Sequence, residues 1–309
     1  MKADNPKKLL PFSVVRLTKN SAPKLKEILR STFPPIFNAF KSAFAILEGV
    51  EVDKALQNLD RMREMPLQKL TDVQFLENFI IDAGLHASGG DGNHDSIDYE
   101  WPKSLDAYVG KGLQTWQYPI QYGKYLVFLS QFQIKSHLEI GVAYGGAFVF
   151  STEYLNRFNA PLSSYCIDVV PPSLLVEHYA KKRKLTYITA KSSDLYNHID
   201  PQTKFDLVFV DGDHSKEGVM RDFALIKDKA DIIAFHDIVN FKTLGAIEAW
   251  DLVKHEHQND FDFFEFTEQY PDILNKQPGK SLFGIGVAVK KALGAKSVAE
   301  LTSTAKPSN

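Results

Sequence analysis

The chain has 309 residues, 44% hydrophobic, 24% charged and 12% aromatic, with 36 basic against 38 acidic side chains. That balance excludes a disordered chain, in which apolar content falls and net charge rises, and removes the long-range attraction on which a nucleic-acid binder relies. The length suits one large domain or two ordinary ones.

Lys2, Lys7 and Lys8 precede a short apolar run that Pro11 interrupts and Arg16 ends, so no signal peptide is expected. No run approaches the ~20 apolar residues of a membrane span. The single cysteine, Cys166, sits in Tyr165-Cys166-Ile167 and is expected to be a small buried strand residue, with the cytoplasm as the compartment. Within 24–48, Leu25, Ile28, Leu29, Phe33, Ile36, Phe37, Phe40, Phe44 and Leu47 recur at helical spacing, broken at Pro34-Pro35. Thr71 is the expected N-cap of a helix carrying Val73, Phe75, Leu76, Phe79 and Ile80, and Gly84 its stop. Residues 87–96 have no apolar face and read as a loop, with His94, Asp91 and Asp95 as free polar residues rather than a metal clip. The domain boundary is therefore expected near it, leaving residues 1–100 as a helical N-terminal region.

A helix is expected over 105–131, with Trp116, Tyr118, Tyr122, Tyr125 and Phe128. Strand-like runs follow at 137–140, 164–168, 185–188, 205–210 and 231–235, separated by amphipathic segments at 146–158, 173–183, 216–228 and 243–256. Apolar strands bounded by helices imply an α/β protein with a parallel sheet covered on both faces. Residues 261–267 and 282–289 have no long helix between them and suit an antiparallel pair closing the sheet. The main domain is expected over 101–291, followed by a polar tail over 292–309.

Ligands in open α/β sheets bind at the carboxyl ends of the strands. The first strand runs through Glu139, Gly141, Gly145 and Gly146 directly into a helix, a turn that permits close backbone approach to a ligand. Ala143 stands where the dinucleotide fingerprint needs glycine, so a nicotinamide site is disfavoured. The second strand ends at Asp168, placed to accept both hydroxyls of a ribose or to cap the next helix. The third is followed by Lys191, Ser192, Ser193 and Asp194. The fourth delivers Asp211, Asp213 and His214, and the fifth His236 and Asp237. Charges carried to one sheet edge by hydrophobic strands cost desolvation unless they are paired or bound to a cation. Carboxylates and imidazoles together can hold a divalent metal.

The turn Glu139–Gly146, the acid Asp168, and Phe-Val-Asp-Gly-Asp-His-Ser followed by Phe-His-Asp-Ile resemble a class I S-adenosylmethionine-dependent methyltransferase. The nearest likeness is to the branch with metal-dependent sugar and macrolide O-methyltransferases and cephalosporin hydroxylase-like proteins. The resemblance covers roughly residues 105–290. It implies a Rossmann-like, doubly wound, seven-stranded sheet whose last strand is antiparallel, with the helical N-terminal region added to it. It also implies that Glu139, Gly141, Gly145, Gly146 and Asp168 hold S-adenosylmethionine, with Ser192 and Ser193 toward the adenine. Asp211, His236 and Asp237 would bind a divalent metal (Mg, Mn or Fe), and His214 would be the base. Relatives usually carry an acid or amide where this chain has His236, and Gly-Asp-Ser where it has Ala190-Lys191-Ser192.

The expected reaction is methyl transfer to a hydroxyl of a sugar or other small natural-product acceptor, with neither nucleic acid nor membrane as partner. A hydroxylase-like enzyme using His214, His236 and Asp211 or Asp237 on iron, and a non-catalytic cofactor binder, are the alternatives. The acceptor pocket is expected to draw on the N-terminal helices and on Trp116, Gln117 and Tyr118, although the near-helical spacing of these aromatics favours core packing. The N-terminal region is expected to serve as a lid or as the interface of a homo-oligomer.

Overall fold

The computed structural model describes residues 51–87, 100–276 and 278–293. The helical pattern at 24–48, the loop residues Asp91, His94 and Asp95, and the tail from 294 lie outside the described residues.

Seven apolar runs form one sheet: β1 (Ser136–Ile140), β2 (Ser163–Asp168), β3 (Leu185–Thr189), β4 (Phe205–Val210), β5 (Ala230–His236), β6 (Phe261–Phe266) and β7 (Ile285–Lys290). Their order is β3-β2-β1-β4-β5-β7-β6. β1 pairs in parallel with β2 and β4, while β7 is antiparallel to both β5 and β6, as the lack of a long crossover between the last two runs implies. The long helices are α1 (Val73–Ala83), α2 (Pro119–Leu129), α3 (Gly146–Asn159), α4 (Leu174–Lys182), α5 (Lys216–Ile226) and α6 (Leu244–Glu256). Side chains alternate across each strand. Leu207, Phe209, Ile232 and Ala234 therefore share one core with α2, α3 and α4, whereas Val208, Val210, Ile233 and Phe235 share another with α5 and α6. Both faces are dry, and Cys166 is buried in the first of these cores, where burial pushes its thiol pKa upward. Among the described residues no helix is long and apolar enough to cross a membrane.

Two local expectations change. The cap of α1 is Asp72, whose carboxylate accepts the Phe75 N–H at 3.0 Å, while the Thr71 hydroxyl donates to the Gln68 carbonyl. The helix expected over 105–131 starts only at Pro119, which supplies a preset φ at the first helical position. Ahead of it, Lys103–Tyr108 is a 3₁₀ helix, and Leu85 bridges to Val109 and Thr115. The described residues from 51 onward fall in one compact unit with the sheet. Val52, Leu56, Leu76 and Ile80 are buried with Tyr122, Leu126 and Phe148 in one cluster.

His137 on β1 is 1% exposed, its ring lies 5.8 Å from that of Phe148, and its Nδ1 has no hydrogen-bond partner. Burial pushes its pKa from 6.5 down to about 3. The unfolded chain then binds a proton that the folded chain refuses, so this stability is complete above the ordinary value and is lost as pH falls below it. Between pH 7 and pH 5 the expected loss is about 2 kcal/mol. In urea titrations at both pH values His137→Phe should lack this part of the acid sensitivity; a variant as acid-sensitive as the parent would remove His137 as its source.

Candidate active site

The strand order reverses between β1 and β4, and the carboxyl ends of the strands open there into a cleft of about 1010 Å³. Glu139, Gly141, Gly145, Gly146, Asp168, Ser192, Ser193, Asp211, His214, His236 and Asp237 all line it.

On one side is the glycine turn. Gly141 has φ +82°, and a Cβ there would stand 2.3 Å from the Asp211 carbonyl oxygen, so β1 and β4 leave the sheet too close together for a side chain. Asp168 fastens the turn: Oδ2 accepts the Val142 and Ala143 N–H groups at 2.7 and 3.0 Å, and Oδ1 accepts that of Val170 at 3.0 Å. The cap of α4 is Ser173, not Asp168. With about four lone-pair sites, the Asp168 carboxylate keeps capacity for a ligand hydroxyl. Glu139 is buried beneath the turn, and burial, with the charges of Asp211 and Asp168, pushes its pKa well up. The Ser192 hydroxyl donates to Asp222 Oδ1 at 2.5 Å.

On the other side four titratable groups converge. Asp211 Oδ1 stands 2.8 Å from His236 Nδ1 and 3.1 Å from His214 Nε2, while Oδ2 accepts from Gln117 Nε2 at 3.1 Å. Asp237 lies 3.6 Å from each imidazole and is itself held by Asn240 Nδ2 at 2.9 Å and the Thr243 hydroxyl at 3.3 Å. Asp213 is apart from this group, accepting the Ser215 N–H and pairing with Arg221. Burial alone would raise the Asp211 pKa, but the two imidazoles overcome it and hold the carboxyl at about 2. Burial likewise opposes charge on His236, yet Asp211 and Asp237 lift it to about 9; His214 is also raised, its burial outweighed by the same carboxylates. Ligand atoms of Asp211, His214 and His236 fall within 4.8 Å of one another, and His236 Nε2 is buried without a partner. Such a nitrogen-rich donor set suits a divalent transition metal.

The opposite wall of the cleft comes from before β1, from the loop after β5 and from after β6. Trp116, 37% exposed, stacks on His86 with ring centroids 4.3 Å apart and donates from its indole nitrogen to Glu100 Oε2 at 3.1 Å. Lys242 Nζ lies 3.4 Å from the other Glu100 oxygen. Phe283, with φ +57°, sets its ring 5.6 Å from that of His236. Tyr118 does not join this wall; it is fully buried between Trp101, Phe283 and Tyr270. Glu100, His86, Lys242 and Phe283 carry no sequence signal, because each is an isolated residue of a loop or strand approach.

Residues 138–238 match the family described as a methyltransferase domain. No curated protein matches the chain. Among solved structures, the O-methyltransferase from Bacillus cereus in complex with SAH is 16% identical, over 54% of this chain and 80% of its own, with a TM-score of 0.42. The O-methyltransferase TomG from Streptomyces achromogenes, involved in tomaymycin synthesis and solved with SAM, is 13% identical over 66% of this chain and 87% of its own, with a TM-score of 0.40. A TDP-rhamnose 3'-O-methyltransferase of calicheamicin biosynthesis is 14% identical over 54% and 76%, with a TM-score of 0.37. The methyltransferase-domain match spans the glycine turn and both acidic strand ends, on a sheet with the expected antiparallel last strand, so residues 138–238 are similar to a methyltransferase domain.

Proposed function

We propose that the chain transfers the methyl group of S-adenosylmethionine to a hydroxyl oxygen of a small-molecule acceptor, a sugar or another natural product, in the cytoplasm. The observation that carries this reading is the convergence of Asp211, His214, His236 and Asp237 at the end of the cleft that begins at the glycine turn. Glu139, Gly141, Gly145, Gly146, Asp168, Ser192 and Ser193 would hold the cofactor. Asp211, His236 and Asp237 would hold a divalent ion, which when bound supplies positive charge beside the developing alkoxide. Asp211 fixes His214 through Nε2 and leaves Nδ1 to take the hydroxyl proton. The new oxygen–carbon bond forms as the sulfur–carbon bond breaks, so S-adenosylhomocysteine leaves and the proton stays on His214. Because the displacement is in line, much of the acceleration comes from holding the acceptor against Trp116 and Phe283.

The test is transfer of labelled methyl to a panel of sugar, polyketide and phenolic hydroxyl compounds, with and without a chelator. Label is expected in at least one hydroxyl acceptor, with turnover lost on chelation and restored by Mn or Mg. Turnover indifferent to chelation would remove the ion, and label on nitrogen alone would overturn the hydroxyl assignment. The trio of two imidazoles and one carboxylate also favours a second reading, iron-dependent hydroxylation on the same fold. Oxygen uptake with iron and no methyl transfer would support it over the first.

A further inference from the structure

The loop after β3 offers no acid to the cleft: Ala190, Lys191, Ser192 and Ser193 line it, and Asp194 does not. An acid reaches the same place from α5. Asp222 is 1% exposed and lines the cleft beside Gly212. Its Oδ1 accepts the Ser192 hydroxyl at 2.5 Å and lies 3.7 Å from Arg221 Nε. Both contacts fall on Oδ1, so Oδ2 retains its acceptor capacity. A Cβ at Gly212 would stand 3.7 Å from Oδ2, an ordinary contact distance, which places that oxygen on the Gly212 side of the cleft.

With the ribose at Asp168 and the reacting end at Asp211, the part of the cleft left for the purine lies between residues 190–193 and Gly212. An adenine presents a 6-amino donor, which requires an acceptor. We propose that Asp222 reads the cofactor's purine, one carboxylate oxygen held by Ser192 and the other accepting the 6-amino group. This rests on the cofactor reading above and adds to it a residue from a helix rather than from a strand end. It also gives the chain a means of rejecting a 6-oxo purine, whose acceptor oxygen would face the carboxylate oxygen with no proton between them.

Calorimetry on the full chain with S-adenosylhomocysteine and with its 6-oxo analogue, S-inosylhomocysteine, tests it. The unmodified protein should prefer the adenine compound by about tenfold or more. Asp222→Ala and the isosteric Asp222→Asn should bring the ratio to within about threefold. A role confined to packing would weaken both ligands alike and leave the ratio unchanged, and that result overturns the assignment, as does an unmodified protein with no preference. If neither compound binds the unmodified protein, the cofactor reading falls and this inference with it. Discrimination that survives in Asp222→Asn, with S-adenosylhomocysteine still bound, removes only the inference.

Discussion

Asp211→Ala is expected to lower methyl transfer by about 10²–10⁴-fold while S-adenosylhomocysteine still binds within a few-fold of its normal affinity. The carboxylate joins His214, His236 and Gln117, three groups from three different segments, and none of its side-chain partners belongs to the glycine turn. Without it His214 loses the partner that orients Nε2. His236 loses its closest anion and keeps a buried imidazole whose pKa, now about 9, must fall. Asp237, at 3.6 Å, remains beside this imidazole, so the loss is a part of the roughly 3–5 kcal/mol that breaking a buried charge pair costs, and the midpoint of urea unfolding should drop as well. Steady-state turnover with labelled cofactor, calorimetry and urea titration separate these effects. Unimpaired turnover would take Asp211 out of the chemistry, and loss of cofactor binding would show that the residue supports the turn instead.

Gly141→Ala should be the most damaging small change on the cofactor side. Its Cβ would meet the Asp211 carbonyl at 2.3 Å and the Gly212 Cα at 2.4 Å, both backbone atoms, in a conformation with φ +82°. Backbone strain and overlap together amount to about 2–5 kcal/mol. Because β1 and β4 are held in register by hydrogen bonds such as Asp211 N–H to Ile140 O, relief must separate the turn from the acidic strand end. Stability and S-adenosylhomocysteine affinity should therefore fall together. Gly279→Ala is the control: φ is +74°, but nothing lies within 4 Å of its Cβ, so only the strain of about 1 kcal/mol or slightly more remains. Equal losses in the two variants would show that conformation, not crowding, makes Gly141 necessary.

Most of the sheet was legible because buried parallel strands are short apolar runs and the crossovers are amphipathic helices. Where one residue type ends a strand, as at Asp168, Asp211 and Asp237, its place at the carboxyl edge followed from topology. The stretch before α2 misled because Trp116 and Tyr118 continue the aromatic run of Tyr122, Tyr125 and Phe128, yet both sit on irregular chain ahead of Pro119, next to the Leu85–Thr115 bridge. Periodicity records which residues are buried and not the hydrogen bonds that bury them. Trp116 and Tyr118 illustrate the limit: two aromatics of one segment, one on the cleft wall and one in the core. Asp222 was illegible for another reason, since a single acid on an amphipathic helix reads as solvated surface until Ser192 is seen beside it.

The two walls of the cleft have separate origins along the chain. The turn and the acidic strand ends fall within residues 138–238, whereas His86, Glu100, Trp116 and Phe283 all lie outside that span. On the proposed function, chemistry and selectivity are thus encoded in different stretches of the chain. On that same reading, recombination that exchanged the segment from Gly84 to Tyr118 would carry a new acceptor surface onto an unchanged reaction centre, provided that the Leu113 N–H bond to the Ala83 carbonyl and the Gln117 link to Asp211 were kept. For an enzyme designer that segment is the natural cassette, and its two attachment points are the residues to hold constant.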